Sequence, residues 1–441
     1  MGGIKQVLIL RKEVIELENA IHYTVAIIGL GYVGLPLARL FLNKGHTVYG
    51  IDLDPNKIQK LSKRQSYLSD FPHGDIKNMF AKGRFHVGSS YDVIQNVDAV
   101  IICVPTPLDE QVKPDLRFVR EALKNALPYL SYGQLVILES STYPGTTEEE
   151  LLPLIESKGM KVGRDISLVY SPERIDPGQD KYALDDIPKV VGGVTQKCTE
   201  FGKRLYETIF KQVVVVSSAR AAEMTKLLEN SQRLVNISFM NELAMLCDVM
   251  KIDLWEVIAA ASTKPYGFTP YYPGPGIGGH CIPVDPLYLS WKAKTHNFDL
   301  KFIDIAHQIN ERMPEFLIEK VEKQLSAKPL KDSRILVIGV TYKKDVNDLR
   351  ESTALKIIEG LLARGAKVNF YDPFIEEIEV GGIQIKRSSL TRRYVQHHDC
   401  TLILTDHTGL PYESIVTYSP LVIDTRNATG KFKHLGNVVL L

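Results

Sequence analysis

Cys281 lies in PGPGIGGHCIPVDP (273–286), among glycines and prolines, with His280 before it and Asp285 four residues after. Three kinds of chemistry compete for such a cysteine. Zinc would use His280 and Asp285 as further ligands, but adjacent Cys and His side chains diverge and no remote His/Cys cluster completes four ligands. A buried cysteine often serves as a small hydrophobe. A nucleophilic thiol is the third reading, because glycines let substrate and backbone approach the sulfur closely. The loop alone leaves the last two open.

A second candidate is GLGYVG (29–34), with the G-x-G-x-x-G spacing. Gly29 permits a tight turn, Gly31 lets backbone approach a pyrophosphate, and Gly34 lets the following helix pack closely. Glycines also make turns with no ligand, so context decides. Here an apolar run, Val25–Ile28, precedes the motif, a helical pattern follows, and Asp52 ends the next strand 23 residues after Gly29. That context points to a dinucleotide, its phosphates at the helix N-terminus. Asp52 can accept hydrogen bonds from ribose hydroxyls and would repel a 2′-phosphate, which favours NAD over NADP.

Two further groups are ambiguous. Glu223, Lys226, Asn230 and Arg233 are spaced three, four and three apart, so they share one helix face. They read either as a solvated charged stripe or as polar groups set among core-like positions. In SPERIDPG (171–178), Glu173 and Arg174 follow a strand. They are either simple turn chemistry around Pro172 and Pro177 or residues at the carboxyl end of a parallel sheet, where ligands gather.

The elements that must hold these residues follow from the apolar pattern. Runs at 98–105, 135–140 and 166–173 alternate with helical stretches such as 117–130, the pattern of a doubly wound parallel sheet. Residues 217–250 contain neither Gly nor Pro, and their apolar positions recur at helical spacing. Such a helix would be about 50 Å long, enough to link domains and to pack against a second subunit. Asp253 is placed to cap the next helix, LWEVIAAAS. The last hundred residues echo the first: LNKGHTVYGIDLDP (42–55) is matched by LARGAKVNFYDP (362–373), and YTVAIIGLG by SRILVIGVT (333–341). The second copy lacks the glycine fingerprint and is expected to bind something other than a dinucleotide. The chain therefore reads as α/β: two doubly wound Rossmann-like domains, 1–216 and 331–441, joined by a central helical domain, 217–330, with its long helix.

Composition narrows the function classes. The 441 residues are 44% hydrophobic and 24% charged, with net charge +1, values of an ordinary globular protein without a large basic footprint for nucleic acid or anionic lipid. Five scattered cysteines (103, 198, 247, 281 and 400) without a C-x-x-C pair argue against a disulfide framework and a structural zinc site. No apolar run reaches membrane-spanning length. The first 23 residues hold only four consecutive apolar residues, Val7–Leu10, a poor signal peptide, and Gln6 spoils an N-myristoylation pattern. A cytoplasmic location is expected.

Taken in order, GLGYVGLPLA, SPERIDPGQ, EMTKLLEN, GPGIGGHCIPVDPLYL and YKKDVNDLREST resemble the UDP-glucose/GDP-mannose dehydrogenase family, from about residue 24 to 428. The fuller loop at 267–293 is most similar to the branch acting on UDP-N-acetylhexosamines, UDP-N-acetylglucosamine first. UDP-N-acetylmannosamine and UDP-glucose are the alternatives within the class. A two-electron hydroxyacid dehydrogenase and a non-catalytic NAD-binding protein are the alternatives outside it.

The resemblance implies oxidation of a sugar C6 alcohol to a carboxylate with two NAD and no metal, through a thiohemiacetal and thioester on Cys281. It implies that Lys226 and Asn230 bind the oxyanion or water, that Asp285 works with the lysine, and that Glu173 positions the hydrolytic water. Thr142 joins this catalytic set. The implied NAD contacts are Gly29, Gly31, Tyr32, Val33, Gly34, Asp52, Lys57, Thr106, Thr142 and Arg350. The implied UDP-sugar contacts are Glu173, Arg174, Lys226, Asn230, Arg233, Tyr271, Tyr272, Gly276, Gly278, Lys343 and Arg426. A homodimer through the central helices is expected. Two departures point away from plain UDP-glucose. Lys264 and Pro265 stand where UDP-glucose enzymes carry an arginine donated to the neighbouring subunit, and His280 stands where serine is usual.

Overall fold

A glycine turn follows the first strand, whose last four residues, Val25 to Ile28, are apolar and buried. The computed structural model describes residues 21–68, 71–174, 182–325 and 328–441. The readings made on the N-terminal segment up to residue 20, and on SPERIDPG beyond Arg174, lie outside the described residues. By its internal contacts the chain forms two units, meeting at Lys226 and Leu227, with 108–114 assigned to the second.

Among the described residues the first unit has eight strands: β1 (Thr24–Ile28), β2 (Thr47–Ile51), β3 (Phe85–Gly88), β4 (Ala99–Ile102), β5 (Leu135–Leu138), β6 (Ser167–Tyr170), β7 (Lys189–Gly193) and β8 (Val213–Val215). Their order is β3-β2-β1-β4-β5-β6-β7-β8. The pairings are parallel throughout except between β6 and β7. Val25, Ala26 and Ile27 are wholly buried, and all four residues of β4 and of β5 are buried. Continuous apolar runs belong in strands covered on both faces, so the expected strands at 98–105, 135–140 and 166–173 are present with shorter bounds.

The long helix spans Ala219–Met250, 32 residues without an interruption, within two residues of its expected start. The next helix, Leu254–Ala261, is capped as expected by Asp253, whose carboxylate accepts from Trp255 N and Glu256 N.

The second unit contains β9 (Arg334–Ile338), β10 (Lys367–Tyr371), β13 (Cys400–Ile403), β14 (Val422–Asp424) and β15 (Val438–Leu440) in the parallel order β10-β9-β13-β14-β15, with a separate antiparallel ribbon of β11 (Glu377–Val380) and β12 (Ile383–Lys386). Its main core includes Met240 and Ala244 of the long helix, Met313 and Leu317 of the helix Lys301–Leu325, and Ile335 and Val337 of β9. The central helices and the C-terminal sheet therefore share one core.

Candidate active site

The glycine motif of the first unit has three distinct steric environments. Gly29 has φ +94°, and a Cβ there would lie 2.5 Å from Cys103 O. A Cβ at Gly34 would lie 1.9 Å from Gly29 O, so only glycine lets the helix Gly34–Asn43 start against the turn. Gly31 differs: nothing lies within 4 Å of its Cβ position, leaving the backbone open to a ligand. Tyr32 and Val33 are half-buried beside it. Asp52, just past β2, is 8% exposed and accepts from Leu30 N (2.9 Å), Asp54 N (3.0 Å) and Lys57 Nζ (3.0 Å). These residues fit NAD: backbone N–H groups and an open glycine for the pyrophosphate, a fixed carboxylate for ribose. Thr106 and Thr142 are buried in the same unit, and the Thr142 and Thr146 hydroxyls bond to each other.

Glu173 and Lys226 also belong to the first unit, and the fold brings them together. The Lys226 ammonium donates to the Glu173 carbonyl at 2.8 Å. Both residues are buried, which excludes a solvated stripe for this part of the helix. Arg174 Nη1 donates to Pro188 O. One turn before Lys226, the buried Glu223 accepts from Gly145 N, Thr147 N and Thr147 Oγ1 at 2.5, 2.9 and 2.7 Å. Burial pushes its carboxyl up to about 7, against the pull of those donors. Sequence reading put Glu223 on the polar face but not in the site; its anchoring of the Thr142–Thr147 turn involves residues 76 and 78 positions away.

The cysteine loop belongs to the second unit. Cys281 is half-buried, and its carbonyl accepts from Val284 N and Asp285 N as the chain enters the helix Asp285–Thr295. The Asp285 carboxylate is fully buried and accepts from Asn230 Nδ2 at 2.7 Å. Asn230 thus leaves the stripe for a hydrogen bond beside the loop, whereas Arg233 is exposed.

The loop backbone is held by two asparagine side chains that sequence reading did not select and by one main-chain carbonyl. Asn241 Oδ1 accepts from Gly274 N (2.9 Å), Asn310 Oδ1 from Ile277 N (2.5 Å), and Gly279 N donates to Arg350 O (3.2 Å). No local pattern marked either asparagine, since the backbone partner that a buried amide needs lies 33 residues away in each case. Gly276 has φ +119°, and a Cβ at Gly278 would lie 2.5 Å from Glu351 O.

Of the expected substrate residues in this unit, Arg426 is half-buried, donates from Nε to Leu404 O, and lies under Gly274, where a Cβ would sit 2.6 Å from its Nη1. Tyr271 donates to Gln232 Oε1, and the exposed Tyr272 stacks on Trp255. Lys343 sits on a turn held by the Thr341 hydroxyl, which donates to its carbonyl. The Arg350 guanidinium forks onto Asp348. Lys264 is exposed, over the Tyr266 ring.

Models of the UDP-glucose/GDP-mannose dehydrogenase family match three stretches: the NAD binding domain at 23–210, the central domain at 220–312 and the UDP binding domain at 336–431. A UDP-N-acetyl-D-mannosamine dehydrogenase of Methanococcus vannielii is 32% identical, with 94% of this chain and 97% of the relative covered. An NDP-N-acetyl-D-galactosaminuronic acid dehydrogenase of Ralstonia solanacearum is 31% identical over 91% of this chain and 95% of its own. The solved UDP-D-ManNAc dehydrogenase of Pyrococcus horikoshii superposes with a TM-score of 0.82 at 33% identity, covering 92% of this chain and 96% of that one. The chain belongs to the UDP-glucose/GDP-mannose dehydrogenase family and is an NAD-dependent nucleotide-sugar dehydrogenase.

Proposed function

We propose that this enzyme oxidises the C6 alcohol of a UDP-N-acetylhexosamine to the carboxylate in two steps. The observation that carries the proposal is the Cys281 turn, whose next helix starts with a buried Asp285 held by Asn230. A thiol so placed can add to a C6 aldehyde. NAD, when bound, supplies the hydride acceptor for both oxidations. The Cys281 sulfur forms the thiohemiacetal; its oxidation leaves a thioester, and water releases the acid and the thiol. Lys226 and Asn230, one turn apart on the long helix, serve as oxyanion or water donors. Loss of one such donor costs about 3 kcal/mol in barrier. Asp285 takes and returns the proton shared with the lysine, Thr142 orders the reacting end, and Glu173 positions the hydrolytic water.

In the division of labour we assign, residues up to 216 hold NAD, 217–330 carry the thiol, and 331–441 hold the UDP-sugar through Lys343, Arg426 and the 271–278 loop. Gly29–Gly34, Asp52, Lys57 and Thr106 take the cofactor, with Arg350 added from the C-terminal part. Arg233 takes the sugar side.

The relatives named for UDP-N-acetylmannosamine make the manno epimer the first substrate to test, and the loop at 267–293 makes the gluco epimer the second. Assays of NAD reduction with both epimers and with UDP-glucose test the reading. Two NADH per sugar from an N-acetylhexosamine is the expected result; turnover of UDP-glucose alone overturns the branch.

We also assign a homodimer through the long helix, because Leu228, Phe239, Leu246 and Val249 leave an exposed apolar stripe on one face. Leu246→Glu should yield monomers by light scattering. We place the enzyme in the cytoplasm, in keeping with five scattered cysteines that form no C-x-x-C pair. Among the described residues, no helix is long and apolar enough to cross a membrane.

A further inference from the structure

Among the described strands of the first sheet, β6 and β7 form the antiparallel pair. β7 pairs with β6 only through Val169 with Gly193 and Tyr170 with Gly192. In that register, β7 starts beyond the carboxyl end of β6, so Pro188–Val190 flank the Ser171–Arg174 turn. Three hydrogen bonds tie the turn to this segment: Ser171 Oγ to Val190 O (2.7 Å), Arg174 Nη1 to Pro188 O (2.8 Å) and Lys189 Nζ to Pro172 O (3.4 Å).

Lys189 is 4% exposed, and its ammonium also donates to Glu139 Oε2 at 2.9 Å. Glu139 is fully buried, the first residue past β5, and its other oxygen accepts from the Tyr206 hydroxyl. Lys189 Nζ lies 5.1 and 5.4 Å from the Tyr206 and Phe210 ring centroids. Burying two charges costs several kcal/mol per ion, and an apolar pair of similar volume often folds as well or better. Stability therefore does not account for an ion pair here. Its place does: the carboxyl ends of β5 and β6 form the ligand edge of such a sheet, and Glu139 is held inside that edge.

We propose that Glu139, Lys189 and Tyr206 form a buried positioning network that fixes the Pro172–Glu173 turn for the hydrolytic half of the reaction. Two ammonium groups grip successive carbonyls, Lys189 that of Pro172 and Lys226 that of Glu173. The Glu173 side chain then starts from a main chain that cannot drift. The proposal rests on the role given to Glu173 under Proposed function.

The test is the double variant E139Q/K189M, which removes both charges together and leaves neither alone. Pre-steady-state NADH formation, mass analysis of Cys281 and hydrogen exchange of residues 168–174 are measured against the unaltered enzyme. The expected result is KM values for NAD and UDP-sugar within about threefold and kcat lowered about 100-fold, with an acyl adduct accumulating on Cys281. Exchange of the turn should rise about tenfold while the other strands stay protected. K189R, which keeps the charge, should recover most of kcat.

Unaltered kcat and exchange in a folded double variant overturn the proposal, as does a uniform loss of melting temperature and of every affinity. If the double variant does not fold, Y206F decides by the same readouts, with a kcat loss of about fivefold expected and none overturning the proposal. If the unaltered enzyme oxidises no UDP-sugar, the reading of function fails, and hydrogen exchange alone decides the network.

Discussion

The two Rossmann-like sheets make the same turn and finish it differently. In the first unit Gly29 N donates to Ile51 O, and Leu30 N and Asp54 N donate to Asp52. In the second, Gly339 N donates to Tyr371 O, and Val340 N and Phe374 N donate to Asp372. Gly29 and Gly339 both have positive φ, at +94° and +80°. The next residue but one then separates them. Gly31 faces open space, whereas Thr341 is buried and its amide adds a longer hydrogen bond to Asp372.

The carboxylates diverge in the same way. Asp52 is capped on one side by Lys57 and remains at the edge. Asp372 is fully buried under His407, whose Nε2 lies 2.9 Å from Asp372 Oδ2 while Nδ1 accepts from Asp345 N. The second carboxylate is thus used up inside the protein and is closed to a ribose. In its place, His407 and Thr341 brace the turn carrying Lys343. One turn geometry gives a dinucleotide edge when left open and a braced loop when filled.

The largest effect expected is at the first motif. Gly34→Ala should cost about 4 kcal/mol in thermal unfolding, because its Cβ would sit 1.9 Å from a backbone oxygen. Gly31→Ala should leave the melting temperature unchanged yet weaken NAD by about 100-fold in calorimetry. Equal loss of stability in both would break the claim that Gly31 is kept open for ligand.

The pH responses of the two units should have opposite sign. Glu223 is raised to about 7 in the folded first unit. The unfolded chain gives up that proton near 4.5, so stability falls as pH rises from about 4.5 to about 7, by about 3 kcal/mol at most. E223Q should flatten that limb of a denaturant-unfolding series. In the second unit burial opposes, but His407 and two backbone donors hold Asp372 below the usual carboxylate range. Its contribution is full above about 3.8 and is lost as pH falls further.

His407→Ala should cost about 2–3 kcal/mol by leaving Asp372 buried without its ring partner. It should also raise the UDP-sugar KM and leave NAD affinity alone. A change in NAD affinity instead would break the comparison. The smallest effect is Asp52→Asn, expected to weaken NAD by about tenfold with no change in UDP-sugar KM.

Much of the fold was legible because local patterns sufficed. Apolar runs marked strands covered on both faces, and the absence of Gly and Pro marked the long helix. The glycine motif with Asp52 was legible because its residues fall within one βαβ unit, although the neighbour that forbids a Cβ at Gly29 is Cys103, past the distant β4. Asn241, Asn310, Glu139 and Lys189 were not legible, because their partners are distant in sequence. The stripe Glu223–Lys226–Asn230–Arg233 shows the limit within one helix. Spacing put all four on one face, but only burial separated the first three from the exposed Arg233.

Sequence by itself determined the elements, the dinucleotide turn, the cysteine loop and, through the order of its motifs, the family. Tertiary structure alone decided which polar groups are consumed and which remain available. Asp52 and Asp372 end equivalent strands with near-identical turns, and only a histidine 35 residues further on closes one of them. Helix and strand periodicity report short-range sterics, whereas the partner of a buried charge is set by long-range packing that no local spacing encodes.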